Sequence, residues 1–422
     1  MVYKRNSQEE DWVNIQKIEY IGNDEKRGIQ YDWAKIRKRM KKLDLIPKDY
    51  YNPCTAPLDT ASIFVEVSER AVGKTTSWLL LGLVMHEMYG TITVYVRSKA
   101  DMIAPKNSNS IYNVILANHY IEKITNGKYN HITYKSRKWY LCNINENGEI
   151  TTISPNYCMR MVSIDDGSNL KSTFNEPKAD LMLFDEFIPV LSRFVVVNEF
   201  VQLVDLFKTV FRDRECCKVV MLANTIDKYN QYFHDLEIFE RVASMDFGDN
   251  CIHTTSGGTK IYVELIGVPR TFKRRKDRWN RLFAGFNKPE LAPITGNAVW
   301  AMKMYQHIPE IEKEEDQPEI VFSKLYVYHQ NKYIRLDFVD NHTLGICIYV
   351  HWATKTHSDS IIFTSEPIYD NRYIYGMGEY TKIGKTVLDL IGQHKVYYAA
   401  NDVGAFFENY LISCGYNTKR YI

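Results

Sequence analysis

SIFVEVSERAVGKTTSWLLLGLVMHEMYGTITVYV, residues Ser62–Val96, is the stretch that decides the fold. Ser62–Val67 is rich in β-branched and aromatic residues and reads as a strand. Lys74–Tyr89 is apolar and Leu-rich and reads as a buried helix, ended by Gly90. Thr91–Val96 reads as a second strand. Strand, loop, helix, strand is the βαβ context that a phosphate-binding loop requires. The expected fold is therefore α/β, with the loop at the end of a buried strand.

The loop Ser68-Glu69-Arg70-Ala71-Val72-Gly73-Lys74-Thr75, followed by Thr76, matches the P-loop pattern with one departure, Ser68 in place of its first glycine. The mechanical needs are still met. Gly73 lets the backbone turn tightly and present N–H groups to phosphate oxygens. Lys74 can reach the β- and γ-phosphates, and Thr75 can hold magnesium through its hydroxyl. The helix N-terminus adds a favourable dipole. A second Gly-Lys-Thr, at Gly384-Lys385-Thr386, lacks the preceding buried strand and loop and reads only as the start of a helix. Upstream, Tyr50 or Tyr51 is a candidate to stack on an adenine ring.

Leu181-Met182-Leu183-Phe184-Asp185-Glu186 supplies the other half of a nucleotide site. The apolar residues place Asp185 at the end of a buried strand, where it can hold magnesium, and Glu186 is then a candidate base for the attacking water. Asn224 and Thr225 end the strand Lys218–Leu222 and are candidate sensors of the γ-phosphate. Arg97 ends the strand Thr91–Val96 and is placed to hold Glu186. Arg212 and Arg214, in Phe211-Arg212-Asp213-Arg214, are candidates for a trans-acting arginine finger. Each arginine has an ordinary salt bridge as its alternative role.

The bulk numbers set wider bounds. At 422 residues the chain exceeds what one core usually supports, so at least two domains are expected. Hydrophobic residues are 45% and charged residues 25%, as in ordinary globular protein. A net charge of +2 leaves any nucleic-acid contact to local patches. One such patch, from Arg270 to Arg281, contains Lys273, Arg274, Arg275, Lys276 and Arg278. The eight cysteines show no metal-ligand spacing and read as reduced thiols. No signal peptide and no apolar run of membrane-spanning length is read, so a soluble protein that is not exported is expected. Residues 309–318 are acidic and flanked by proline, as in a linker. The alternating strands that follow indicate a compact C-terminal α/β unit.

The SERAVGKT loop, VYVRSK, IDDGSNLKSTF at Ile164–Phe174, LMLFDEF, VFRDRE and VVMLANT together resemble the genome-packaging ATPases of small short-tailed bacteriophages. That family is in turn similar to the large terminase subunits of other tailed phages. The resemblance runs from about Ser62 to the C-terminus. It implies an additional-strand, catalytic-glutamate ATPase domain over residues 1–235, a linker or lid over 236–315, and a ribonuclease-H-like domain over 316–422. It also implies ATP and magnesium as cofactors and a motor that drives double-stranded viral DNA into a preformed capsid. The implied partners are that DNA, the portal of the empty head, a structural packaging RNA, and other copies of the chain in a ring, often pentameric. The implied location is the cytoplasm of an infected bacterium, transiently at the portal vertex.

A terminase nuclease needs clustered acids for two metals. Here the first expected C-terminal strand carries Tyr326, Tyr328 and His329, and Asp402 is the one well-placed acid, so a vestigial nuclease used for binding is expected. Two other classes compete with the motor: a P-loop helicase or DNA-remodelling ATPase, and a P-loop kinase or switch-type binding module.

Overall fold

The computed structural model describes residues 30–48, 50–69, 72–105, 110–165, 178–188, 199–212, 214–224, 230–267, 305, 319–341 and 344–416. The basic stretch with Lys273, Arg274, Arg275, Lys276 and Arg278, the acidic linker, Arg70, Ala71, Thr225 and most of Ile164–Phe174 lie outside them. The architecture is α/β, built on two mixed sheets.

The first sheet contains β1 (Ile63–Ser68), β2 (Thr93–Arg97), β3 (His131–Lys135), β4 (Lys138–Ile144), β5 (Ile150–Ser163), β6 (Leu181–Asp185), β7 (Lys218–Asn224), β8 (Asn250–Thr254) and β9 (Lys260–Ile266). Their order is β3-β4-β5-β2-β6-β7-β1-β9-β8. From β5 to β9 in that order the pairings are parallel, and antiparallel hairpins extend both edges. Strand β7 thus stands between β1, which leads into the loop, and β6, which ends in Asp185. That is the additional-strand order implied by the resemblance.

Helix α1 (Trp33–Lys42) and helix α2 (Lys74–Tyr89) share one face of this sheet. Every residue of α2 from Ser77 to His86 is buried, which explains its all-round apolar sequence. Gly90, at φ 70°, closes it with a backbone N–H to the His86 carbonyl. Because side chains alternate along a strand, each central strand feeds two cores. Phe64, Leu181, Leu183, Val220 and Leu222 pack toward α2, while Val65, Val67, Met182, Phe184, Val219 and Met221 pack on the opposite face, where α3 (Glu199–Phe211) lies.

The expected boundary at residue 235 is corrected by this sheet. β9 pairs with β1 in register from Ile63↔Ile261 to Ser68↔Ile266, so the first unit continues at least to Ile266. The residues 236–266 assigned to a linker bury Ile261, Val263 and Leu265 in its core. The boundary at 316 also shifts. Tyr305 is buried in the C-terminal core, and its ring occupies the space beside Gly404, where a Cβ would lie 2.3 Å from it.

The second sheet contains β10 (Glu319–His329), β11 (Lys332–Asn341), β12 (Gly345–Ala353), β13 (Ile361–Thr364), β14 (Tyr373–Tyr375) and β15 (Val396–Tyr398), in the order β14-β13-β10-β11-β12-β15. β10, β11 and β12 form an antiparallel meander, and β13 and β15 add in parallel on either side. Helices α4 (Lys382–Gly392) and α5 (Asn401–Ser413) complete this core. Among the described residues no helix is long and apolar enough to cross a membrane.

Candidate nucleotide site

The alternation that builds the two cores also gathers the site. Ser68 and Asn224 are register partners at the ends of β1 and β7. Asp185 ends β6 with the side-chain parity of Leu181 and Leu183, which directs it to the α2 face. Arg97 follows Val96, whose register partner is Phe184, so it stands beside Asp185. All four therefore converge where the loop enters α2.

Gly73 is the N-cap of α2 and has φ 83°, a left-handed conformation that glycine adopts without steric cost. Glycine has no side chain with which to cap the helix, which leaves the N–H groups of its first turn and its positive dipole to an anion. Lys74 is buried, and its ammonium donates to the Ser68 hydroxyl. Burial lowers its pKa to about 8, against the opposing pull of Asp185, Glu66, Glu186 and Glu69. The Thr75 hydroxyl faces both oxygens of Asp185 at 3.1 and 3.2 Å.

Asp185 also accepts from the Tyr95 hydroxyl at 2.7 Å. The Arg97 guanidinium lies 3.7 Å from Asp185 and pairs directly with Glu186. Its own basicity is raised: burial opposes the charge, but Tyr95, Asp185 and Glu186 outweigh it. Glu186 has φ 56°, in the left-handed region where a non-glycine residue carries strain. Backbone and ion pair together hold its carboxylate against Arg97. Tyr95 was not singled out from sequence. Its signal was its parity: two residues before Arg97, it must share the Asp185 face.

The remaining candidates separate. Glu69 is buried within the loop, and Thr76 is half-buried in the first turn of α2. Tyr51 is not available to stack on a base: its side chain is buried and its hydroxyl reaches Glu66 and Glu264. The Tyr50 ring packs against Gly73. Arg214 is corrected as a finger. It forms a 2.9 Å ion pair with Asp180, which is 1% exposed, and donates to the carbonyls of Ala179 and Val210. Asp180 precedes β6, so this pair sits at the opposite end of that strand, about 16 Å from Asp185 at a strand's rise per residue. Tyr31 also donates to Asp180, at 2.7 Å. The cluster ties α1 and the α3–β7 turn to the sheet. Arg212 is exposed at the end of α3.

In the C-terminal unit Asp337 and Asp402 are engaged separately. Asp337 is buried and bound by Arg335 at 2.9 Å and by His351 at 2.8 Å. Asp402 accepts from the Trp352 indole at 2.9 Å. Tyr326, at the middle of β10, is buried. Among the described residues there is no cluster of acids, histidines and cysteines suited to a metal.

No protein-family model matches this sequence, and no curated protein matches it. The fold is similar to that of the Phi-28 gp11 DNA packaging motor, with a TM-score of 0.56 and 16% identity over 88% of this chain and 99% of that one. It is also similar to the bacteriophage Phi-29 viral genome packaging motor assembly, with a TM-score of 0.53 and 17% identity over 87% of this chain and 100% of that one. At these identities the likeness is one of fold.

Proposed function

We propose that this chain is an ATP-driven motor that moves double-stranded viral DNA into a preformed capsid. The observation that carries the reading is the convergence of Lys74, Thr75, Asp185, Glu186 and Arg97 at one sheet edge, beneath an uncapped helix N-terminus. The donor set fits magnesium-ATP: a turn at Gly73 that presents N–H groups, a buried ammonium, and a hydroxyl facing a carboxylate. Magnesium, when bound, supplies positive charge that offsets the negative charge of the phosphates. Thr75 and Asp185 would hold it, and Lys74 would bind the outer phosphates. Ser68 and Asn224 flank the loop. Glu186 would accept a proton from the attacking water once its carboxylate leaves Arg97. Arg97 thereby keeps the base inactive until a neighbour or DNA displaces it. Arg212 is the remaining candidate for a finger acting on a neighbouring subunit.

The shared fold with two phage packaging motors supports DNA and other components of a motor assembly as partners; the portal, a homo-oligomeric ring and a structural RNA are proposed with them. The basic stretch Lys273, Arg274, Arg275, Lys276 and Arg278 is the proposed phosphate-backbone contact. The C-terminal unit is proposed to be ribonuclease-H-like and inactive as a nuclease, since Asp337 and Asp402 are each held by other side chains. The location that follows is the cytoplasm of an infected bacterium.

The test is a packaging assay with purified empty heads, duplex DNA and ATP. DNA should become nuclease-resistant with the full chain and stay exposed with Lys74→Ala. Unwinding of duplex without packaging would replace the motor with a helicase.

A further inference from the structure

Glu66 and Glu264 face each other across the β1–β9 pairing, directly beneath the loop. Adjacent strands lie only about 4.8 Å apart, so the two acids share one site. Glu66 is fully buried. Its Oε2 accepts from the Trp78 indole at 2.8 Å, and Glu264 Oε2 accepts from the Tyr262 hydroxyl at 2.9 Å. The Tyr51 oxygen lies between the two acids, 2.7 Å from Glu66 Oε1 and 2.9 Å from Glu264 Oε2.

A hydrogen count bears on the protonation. Both contacts of Tyr51 have the length of a full O–H···O bond. A phenol has one hydrogen, which it gives to one acceptor or shares more weakly between two. Both contacts are full hydrogen bonds when one of the acids carries a proton and donates it to the Tyr51 oxygen. Two carboxylates in one buried site favour that same state. Burial, reinforced by Glu264 and opposed by the bonds from Trp78 and Tyr51 and by Lys74, raises the Glu66 carboxyl to about 8. Tyr51, Lys74, Tyr262 and Glu264 are the titratable groups that face Glu66, with Cys251 of β8 near Tyr262. From β7 the facing side chains, Val220 and Leu222, are apolar.

Tyr51 is also attached to the loop. Its backbone N–H donates to the Val72 carbonyl at 2.8 Å. The adjacent Tyr50 ring occupies the place of a Cβ on Gly73, which would come within 2.2 Å of it.

We infer that Tyr51 is a positioning residue of the nucleotide loop, held in place by one proton shared between Glu66 and Glu264. The inference rests on the reading of residues 68–75 as a nucleotide site. Below about pH 8 the proton is bound and Tyr51 is held from both sides. Above it the pair becomes a dianion, Tyr51 keeps one bond, and the loop it carries loosens.

The test is magnesium-ATP titration of the full chain from pH 7 to 9, with melting curves as a folding control. Glu264→Gln leaves a permanent N–H donor for Tyr51, so its affinity should fall about five-fold less than wild type over that range, the order of one hydrogen bond. Lys74 titrates over the same range in both proteins, so the test reads the difference between the two profiles and not either slope alone. Tyr51→Phe keeps the ring and the Val72 bond. It should bind about five-fold more weakly at pH 7, with turnover at saturating ATP unchanged. An infrared band of a protonated carboxyl should be present in wild type at pH 7 and fade as the pH rises through about 8; its absence at pH 7 overturns the inference. Parallel pH profiles for wild type and Glu264→Gln, or wild-type affinity in Tyr51→Phe, overturn the inference alone. Absence of magnesium-ATP binding by wild type overturns both it and the nucleotide-site reading. If Glu264→Gln does not fold, Tyr51→Phe carries the test.

Discussion

Gly-Lys-Thr occurs twice, at 73–75 and at 384–386, each time near the start of a helix. In the first copy Gly73 is itself the N-cap, in a left-handed conformation, and has no side chain to close the helix end. Lys74 is buried among acids, and Thr75 faces Asp185 across the sheet. In the second copy Thr381 is the N-cap, and its hydroxyl already accepts the Gly384 N–H at 3.0 Å. Gly384 packs against backbone carbonyls, Lys385 is exposed, and the Thr386 hydroxyl donates to the Lys382 carbonyl of its own helix. The difference teaches that the tripeptide is not the unit of function. A strand must place its helix end at a sheet edge, that end must stay uncapped, and a second strand must bring a carboxylate to it.

The largest expected effect falls on the first copy. Glu186→Gln should keep ATP binding and lower steady hydrolysis about 10²–10⁴-fold, the range of a lost general base. Lys74→Ala should lose binding, while Lys385→Ala should change neither property. Hydrolysis at the wild-type rate by Glu186→Gln would remove the proposed base and leave the two copies less distinct than argued.

Position on the sheet separates the arginines in the same way. Arg97 stands at the end of β6 with Asp185, and Arg214 at the other end with Asp180. Arg214→Ala leaves a buried, once-paired acid and should cost about 3 kcal/mol of unfolding free energy in denaturant titration. Hydrolysis per folded molecule should be retained. Unchanged stability with lost turnover would restore Arg214 as a finger.

The smallest effects come from the two glycines. Gly384→Ala places a Cβ 2.2 Å from the carbonyl oxygens of Met377 and Gly378. It should destabilise the C-terminal unit by about 1–3 kcal/mol and leave nucleotide affinity intact. Gly73→Ala meets the Tyr50 ring and a positive φ, so it should weaken nucleotide binding with a smaller shift in melting temperature. Equal effects of both on nucleotide affinity would contradict the separation.

The sequence by itself determined what is local. The expected helix Lys74–Tyr89 ends where the structure ends it. Its apolar pattern and Gly90 state those limits within a few residues of chain. Parity did the same for the site, since Ser68, Arg97, Asp185 and Asn224 each follow a strand whose alternation fixes the face they share. Tertiary structure alone decided what depends on pairing between distant segments. Nothing in residues 250–266 announces that they pair beside β1, so the expected boundary at 235 fell inside the sheet. Nothing near Arg214 shows which end of β6 it occupies, and the Tyr50–Tyr51 pair suggests base stacking until Glu66 and Glu264 are seen on adjacent strands. A side chain's type is written in the chain. The partner that gives it a role is set by register across strands far apart in sequence, and the physical reason is that hydrogen bonds and charges act over only a few ångströms.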